Sequence, residues 1–222
     1  MLIEKIKTGC LMACVTTTIF ASEKVINIKE SGAVGNGIAD DSKAIRKAVA
    51  IINKNHSGQL FFPKGTYLFK GRGPAMLFRG VSDTTVKFEP GAVLLIDNLR
   101  KDGRGNGHGI LFKDAGKNIT LEDITVKWKE KPKHRSHGDG IRFDGYPANN
   151  KTISNITMLN CRVINSPQAG AIFHGCSDIT VKNFRPEHTR ADGLHFNACR
   201  RVKVKGVAGV DNGDDTLAMV TY

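Results

Sequence analysis

The sequence predicts an all-β fold, a parallel β-helix (a solenoid) closed at its N-terminal end by one capping α-helix. Three observations lead there. Five short segments share one pattern: His108–Phe112, Asp139–Phe143, Ala169–Phe173, Asp192–Phe196 and Asp215–Met219. Each runs from a second residue (Gly109, Gly140, Gly170, Gly193, Thr216) to an aliphatic residue and then, two positions on, to Phe112, Phe143, Phe173, Phe196 or Met219. Such alternation reads as a strand, and its recurrence at roughly 23 to 31 residues reads as one solenoid coil. A second strand follows four of the copies, at Asn118–Leu121, Asn155–Met158, Asp178–Val181 and Arg201–Val204. A coil of two or three strands without a helix suits a β-helix better than a helical or leucine-rich repeat. A β-sandwich would need the five-fold alignment to be chance.

At 222 residues the chain is long enough for one domain with a substantial core, and its 24 glycines fit a fold of many turns. Residues 1–21 read as a secretory signal. Lys5 and Lys7 precede an apolar run from Leu11 to Ala21, and cleavage is expected after Ala21. A membrane span is disfavoured because the run is short and broken by Thr16, Thr17 and Thr18. Leu11–Cys14 has the form of a lipoprotein signal, but the apolar run continues past it. The protein is therefore expected to be secreted or periplasmic, with residues 22–222 as one domain.

The formal charge is +12 and falls by one when the signal is removed. Such a surface suits nucleic acid, a membrane surface or an anionic polysaccharide. An export signal argues against nucleic acid. Three cysteines lie beyond the signal, Cys161, Cys176 and Cys199. An odd number forms no full disulfide framework. Cys176 and Cys199 fall one coil apart, and free thiols are favoured over a bridge because stacked side chains point in parallel. No Cys–His zinc spacing occurs.

Residues 25–70 form a separate N-terminal module. Val25–Ile28 reads as a strand, Gly32–Gly37 as a glycine-rich turn, and Leu60–Phe62 and Thr66–Phe69 as strands. Asp40 suits an N-cap and Asp41 the first turn of a helix running to Asn55, with Ile45, Ala48, Val49 and Ile52 on one face. The glycine-rich turn lacks both the Walker and dinucleotide spacings. The helix can instead cover the apolar end of the solenoid.

The run Ser31–Ile45, followed by Phe62-Pro63-Lys64-Gly65-Thr66-Tyr67, resembles the N-terminal module of the right-handed parallel β-helix polysaccharidases. That superfamily includes the pectate-lyase-like proteins and glycoside hydrolase family 28, the polygalacturonases. The resemblance extends over roughly residues 25–222 and implies a right-handed helix acting on a polysaccharide.

Candidate site residues gather in two places. Asp192 and Asp215 precede the column residue on adjacent coils, and Asp214 adjoins Asp215. Three acids together serve general acid/base chemistry or bind a cation. The competing reading is turn chemistry at Asn212–Asp215. Strict alternation would turn Asp192 inward with Leu194, so a bend must separate them. Residues 127–138 are an insertion holding the single tryptophan and many cations. Trp128 is the candidate to stack on a sugar, with Lys131 and Arg135 holding carboxylates. His195, on the acidic strand, joins them as a candidate substrate contact. His134 and His137 are loop residues, and no metal ligand set is assigned.

By resemblance to family 28, Asp214 would protonate the leaving oxygen, and Asp192 and Asp215 would activate the water, with inversion. Arg190-Ala191 stands where the family has Asn-Thr, and its Gly-His-Gly and Arg-x-Lys motifs have no counterpart before Tyr222. The chain thus reads as a C-terminally incomplete solenoid, expected to associate through its last strand and to have little activity alone. The leading reading is a glycosidase for an acidic, pectin-like polysaccharide, needing no cofactor. A lyase with Ca²⁺ on the acids and a non-catalytic carbohydrate-binding β-helix are the alternatives.

Overall fold

The computed structural model describes residues 25–221. Residues 1–21, read above as a signal and holding Cys10 and Cys14, lie outside the described residues. No helix among the described residues is long and apolar enough to cross a membrane.

The strands stack into three parallel layers wound as a right-handed β-helix. The first layer contains Val25–Asn27, Gly58–Phe62, Ser82–Phe88, Gly116–Glu122, Ile153–Leu159, Ser177–Glu187 and Arg200–Val207. Asn36–Asp40, Thr66–Phe69, Val93–Ile96, Thr125–Trp128 and Arg162–Ile164 form the second, which joins the first through the long strand Ser177–Glu187. The third is a separate six-stranded sheet of Met76–Arg79, Ile110–Lys113, Ile141–Asp144, Ala171–His174, Leu194–Asn197 and Leu217–Val220. The aligned copies are this third sheet. Their register pairs Ile141 with Ala171 and Phe143 with Phe173, then Leu194 with Leu217 and Phe196 with Met219. One further copy, Met76–Arg79, precedes those read from the sequence.

Alternation places every second residue of a strand inside, and identical neighbours stack. Phe78, Phe112, Phe143, Phe173 and Phe196 form one continuous pile with ring centroids 4.5, 4.8, 4.9 and 5.1 Å apart. Ile119, Ile156 and Ile179 build a parallel column in the first layer. The pile ends at Met219, which is 66 % exposed, with Leu217 at 43 %.

The column glycines are set by close backbone approach. A Cβ on Gly140 would lie 2.5 Å from the Gly170 carbonyl oxygen, and one on Gly170 the same distance from that of Gly193. The chain bends at each of these residues as it enters the third sheet. Turns into the first layer use another device. Asp83, Asn118, Asn155, Asp178 and Arg201 all adopt left-handed backbone, which Asn and Asp tolerate better than most residues. The Asn118 amide donates to Asp83 Oδ1 at 2.6 Å, and the Asn155 amide to Asn118 Oδ1 at 2.7 Å.

The helix α1 spans Ser42–Asn55 and buries Ala44, Ile45, Ala48, Val49 and Ile52. It packs on the short 3-10 turn Ile28–Ser31 and on strands Gly58–Phe62 and Met76–Arg79. Its start differs from the sequence reading by one residue. Asp41 is the N-cap position but makes no capping bond. Its buried carboxylate instead accepts the amides of Val34 at 2.6 Å and Gly35 at 3.1 Å, which holds the glycine-rich turn. Asp40 Oδ1 accepts the Ser42 amide at 3.0 Å. The expected strand Val25–Ile28 stops at Asn27, where that 3-10 turn begins.

Cys161, Cys176 and Cys199 are free thiols. Cys176 is buried and Cys199 half-buried, stacked one coil apart where the third sheet turns into the first.

Candidate active site

The connections from the second layer to the third form one continuous bank. Backbone hydrogen bonds run along it from Gly73 to Asn106, from Lys133 to Gly103, from Ser136 to Pro167, from Arg190 to Ser166, and from Gly213 to Thr189. Asp192, Asp214 and Asp215 stand at its C-terminal end. One carboxylate oxygen from each lies within 4.8 Å of the other two. The bend at Gly193 resolves the alternation problem. Leu194 is buried inward, while the Asp192 carboxylate leans to the outer face and meets His195 Nδ1 at 2.6 Å. Asp192 and His195 are nearly covered, whereas Asp214 and Asp215 are exposed.

The insertion folds over toward these acids. Arg135 Nη1 lies 3.1 Å from Asp214 Oδ2. Lys131 Nζ lies 3.0 Å from Asp211 Oδ2, which also meets His188 Nδ1 at 2.8 Å. These two partners hold the Asp211 carboxyl below its ordinary range. Arg190, standing where the resembled family has a polar neutral residue, anchors the insertion by donating from Nε to the Pro132 carbonyl at 2.6 Å. Arg135 and His195 thus contact two of the three acids, Asp214 and Asp192, while Lys131 is held by Asp211, three residues before Asp214.

Trp128 is not. It ends strand Thr125–Trp128 facing inward, fully buried, with its indole N–H lacking a hydrogen-bond partner. The first two residues of the insertion are therefore still in the solenoid's inside-outside register, and Trp128 fills the core instead of facing a sugar. His134 is an exposed loop residue, as read. His137 packs edge-on to His108, with centroids 4.4 Å apart.

A second polar group escaped the sequence reading. Asp139 is buried, with Oδ2 at 3.2 Å from His108 Nδ1 and 3.0 Å from Arg142 Nη1. Arg142 Nε also meets Asp144 Oδ1 at 2.7 Å, and Nη2 meets His174 Nδ1 at 3.1 Å. Burial pushes the Asp139 carboxyl up, but His108 and Arg142 outweigh it and hold the group below its ordinary value of 3.8. The outward positions of the third sheet gave the available signal. Leu77, Leu111, Arg142, Ile172 and His195 follow one another there in one ladder column, so that Arg142 and His195 interrupt an apolar series.

The three acids were weighed as a Ca²⁺ site. Calcium takes six to eight oxygens, chiefly carboxylates free to ligate. Asp192 is engaged by His195 and Asp214 by Arg135, which leaves Asp215 as the carboxylate without a side-chain partner among the described residues. The three carboxylates lie close enough to share an ion, but they supply only part of the oxygen shell calcium takes.

Comparison with known proteins agrees with this architecture. Residues 25–73 match a family described as rhamnogalacturonase A/epimerase, pectate lyase-like. A probable polygalacturonase of Arabidopsis thaliana is 27 % identical over 218 residues, covering 90 % of this chain and 44 % of the relative. An iota-carrageenase of Alteromonas macleodii is 34 % identical over 110 residues, covering 42 % of this chain and 22 % of its own length. A family 28 exopolygalacturonase of Yersinia enterocolitica superposes with a TM-score of 0.63 at 16 % identity, over 90 % of this chain and 45 % of that one. At that identity the likeness speaks for the fold. The chain spans less than half the length of each of these relatives.

Proposed function

We propose, from the chain's membership of the pectate-lyase-like right-handed parallel β-helices, that it forms the acid-bearing part of a secreted glycoside hydrolase for an acidic polysaccharide. The observation that carries this reading is the convergence of Asp192, Asp214 and Asp215 within 4.8 Å, with Arg135 on Asp214 and His195 on Asp192.

The roles are those the family resemblance implies. Asp214 would protonate the leaving sugar oxygen, and for that the Arg135 pair must open on substrate binding, since a neighbouring cation favours the ionised carboxylate. Asp192 is oriented by His195 and shares one water with Asp215, whose carboxylate is free to take its proton. The tight cluster differs from the 6.5–9.5 Å spacing common to inverting enzymes, so the water sits against the acid pair rather than across the sugar from a lone base. Inversion at the anomeric carbon is retained as the expected outcome, from the resemblance. Lys131 and Arg135 neutralise the uronate carboxylates that the acids would otherwise repel.

The test is release of reducing ends from polygalacturonate by the wild-type protein and by Asp192→Asn and Asp215→Asn. Each variant is expected to lose roughly 10²- to 10⁴-fold in turnover with its melting temperature unchanged. Folded variants with wild-type turnover refute the assignment. An unsaturated, ultraviolet-absorbing product in place of simple reducing ends would mean elimination instead of hydrolysis.

A further inference from the structure

We propose that Arg135 makes hydrolysis conditional on the substrate's charge: an anionic group of the polysaccharide draws Arg135 off Asp214, and Asp214 then takes up the proton it delivers to the leaving oxygen. This deepens the hydrolase reading above and rests on it. Arg135 is a positioning residue in this scheme, because it acts through Asp214 and touches no reacting atom.

A general acid must hold a proton before the bond breaks. The resting arrangement of Asp214 opposes that. Its Oδ1 accepts the Asp215 amide at 3.2 Å, and its Oδ2 faces Arg135 Nη1 at 3.1 Å. A cation so close favours the ionised carboxylate. Two acids press the other way. Asp192 and Asp215 each bring a carboxylate oxygen within 4.8 Å of one on Asp214, and neighbouring like charges favour the protonated form. The other charged groups nearby are engaged elsewhere: His195 meets Asp192, and Lys131 and His188 meet Asp211. Among the described residues Arg135 is the one cation on Asp214. The proton on Asp214 therefore turns on where a single guanidinium sits.

The insertion lets that guanidinium move alone. The Pro132 carbonyl accepts from Arg190 Nε at 2.6 Å, and the Lys133 amide donates to the Gly103 carbonyl at 3.1 Å. On the other side of Arg135 the Ser136 amide donates to the Pro167 carbonyl at 2.8 Å, and Ser136 Oγ accepts the Gly105 amide at 3.0 Å. The backbone is pinned on both sides, while the Arg135 side chain is 53 % exposed and its ion pair is a weak surface one. The resting contact is also single, from Nη1 to Oδ2. A substrate carboxylate or sulfate offers the guanidinium two oxygens, and bidentate pairs are the stronger ones.

The protons balance. One enters Asp214 from solvent as the substrate binds and passes to the leaving oxygen. The attacking water gives its hydroxyl to the anomeric carbon and its proton to Asp215, which returns it to solvent. Arg135 then pairs again with the ionised Asp214. A neutral sugar offers Arg135 no anion, so Asp214 stays ionised and the bond stays intact. Substrate charge is thereby read in kcat as well as in KM.

Polygalacturonate and a sulfated galactan are each assayed beside their neutral forms, the methyl ester and the desulfated galactan. Wild type is expected to cut one anionic polymer with a kcat roughly 10²-fold above that on its neutral form, and which one identifies the anion. Arg135→Gln should raise KM for that polymer yet raise kcat on the neutral form about tenfold, a gain that damage to the scaffold does not produce. Arg135→Lys should restore the wild-type pattern in part. A pH indicator in weakly buffered solution, read before the first turnover, should report proton uptake when wild type binds the anionic polymer, and none in Arg135→Gln or Asp214→Asn. Equal kcat on the charged and neutral forms, hydrolysis without proton uptake, or an Arg135→Gln protein no faster on the neutral form overturns the exchange and leaves the hydrolase reading standing. Arg135-dependent proton uptake in a wild-type protein that cuts none of the four polymers overturns the hydrolase reading and keeps the exchange. Neither uptake nor hydrolysis overturns both.

Discussion

Arg135 and Asp214 meet at 3.1 Å although 79 positions separate them in sequence. The contact closes the long insertion onto the acidic turn. Both side chains are about half exposed, so as a surface ion pair it contributes only about 0–1 kcal/mol to stability. Its consequence falls on the site. Arg135→Gln is expected to leave the denaturation midpoint almost unmoved while raising KM for an anionic substrate several-fold. A variant with lowered stability and unchanged KM would place Arg135 in the scaffold and outside the site.

Trp128 is the chain's single tryptophan and is fully buried, so its fluorescence reports the core. We expect a blue-shifted emission that neither acrylamide nor an oligosaccharide quenches. Trp128→Ala should destabilise by about 3–5 kcal/mol, while Trp128→Phe should cost less because the indole N–H has no partner to lose. Quenching by sugar would restore the stacking role that the burial denies.

The third sheet was legible in the sequence because a period-2 pattern with a large apolar residue at one phase survives insertions between coils. Phe143, Phe173 and Phe196 lie in the register their alignment implied. Of the second layer, Thr66–Phe69 was read, but Val93–Ile96 and Arg162–Ile164 were not: they are four and three residues long and, unlike the equally short strands of the third sheet, carry no repeated glycine and phenylalanine to align. The three acids were legible as neighbours because they sit one coil apart. The bend at Gly193 that frees Asp192 was required by the argument, but its direction is a property of the stacked backbone. Trp128 was misread because its position among cations outweighed its phase. It lies two residues after Val126, an inward residue, and so is itself inward. The Asp139 network was missed because His108, Asp139, Arg142 and His174 come from three different coils, and no local spacing unites them.

The aromatic pile gives a contrast within one column. Phe173 lies between Phe143 and Phe196 and is fully buried, whereas Met219 continues the column two steps on and is mostly exposed. Phe173→Ala should cost about 3–5 kcal/mol in urea denaturation and Met219→Ala less than about 0.5 kcal/mol. Similar losses at both positions would mean that Met219 is covered in solution.

Asp139 ties acid sensitivity to a single buried group. Its carboxylate accepts the Ala169 amide at 3.1 Å and pairs with Arg142, so Asp139→Ala should cost about 3–5 kcal/mol at neutral pH. The sign of its pH dependence follows from the lowered folded-state value. The unfolded carboxyl titrates near 3.8, and the folded one lower. Its stabilisation is therefore complete above about pH 4–5, and is lost as the pH falls through the unfolded and then the folded value. Asp144, Asp178 and Glu187 are lowered too, so the whole protein weakens in acid and the wild-type curve alone is ambiguous. The difference between wild type and Asp139→Asn isolates the one group. Measured by urea denaturation from pH 6 to pH 2, that difference should be constant down to about pH 5 and shrink below pH 4. A difference that holds constant to pH 2 would show that Asp139 is shaped by packing and not by its charge.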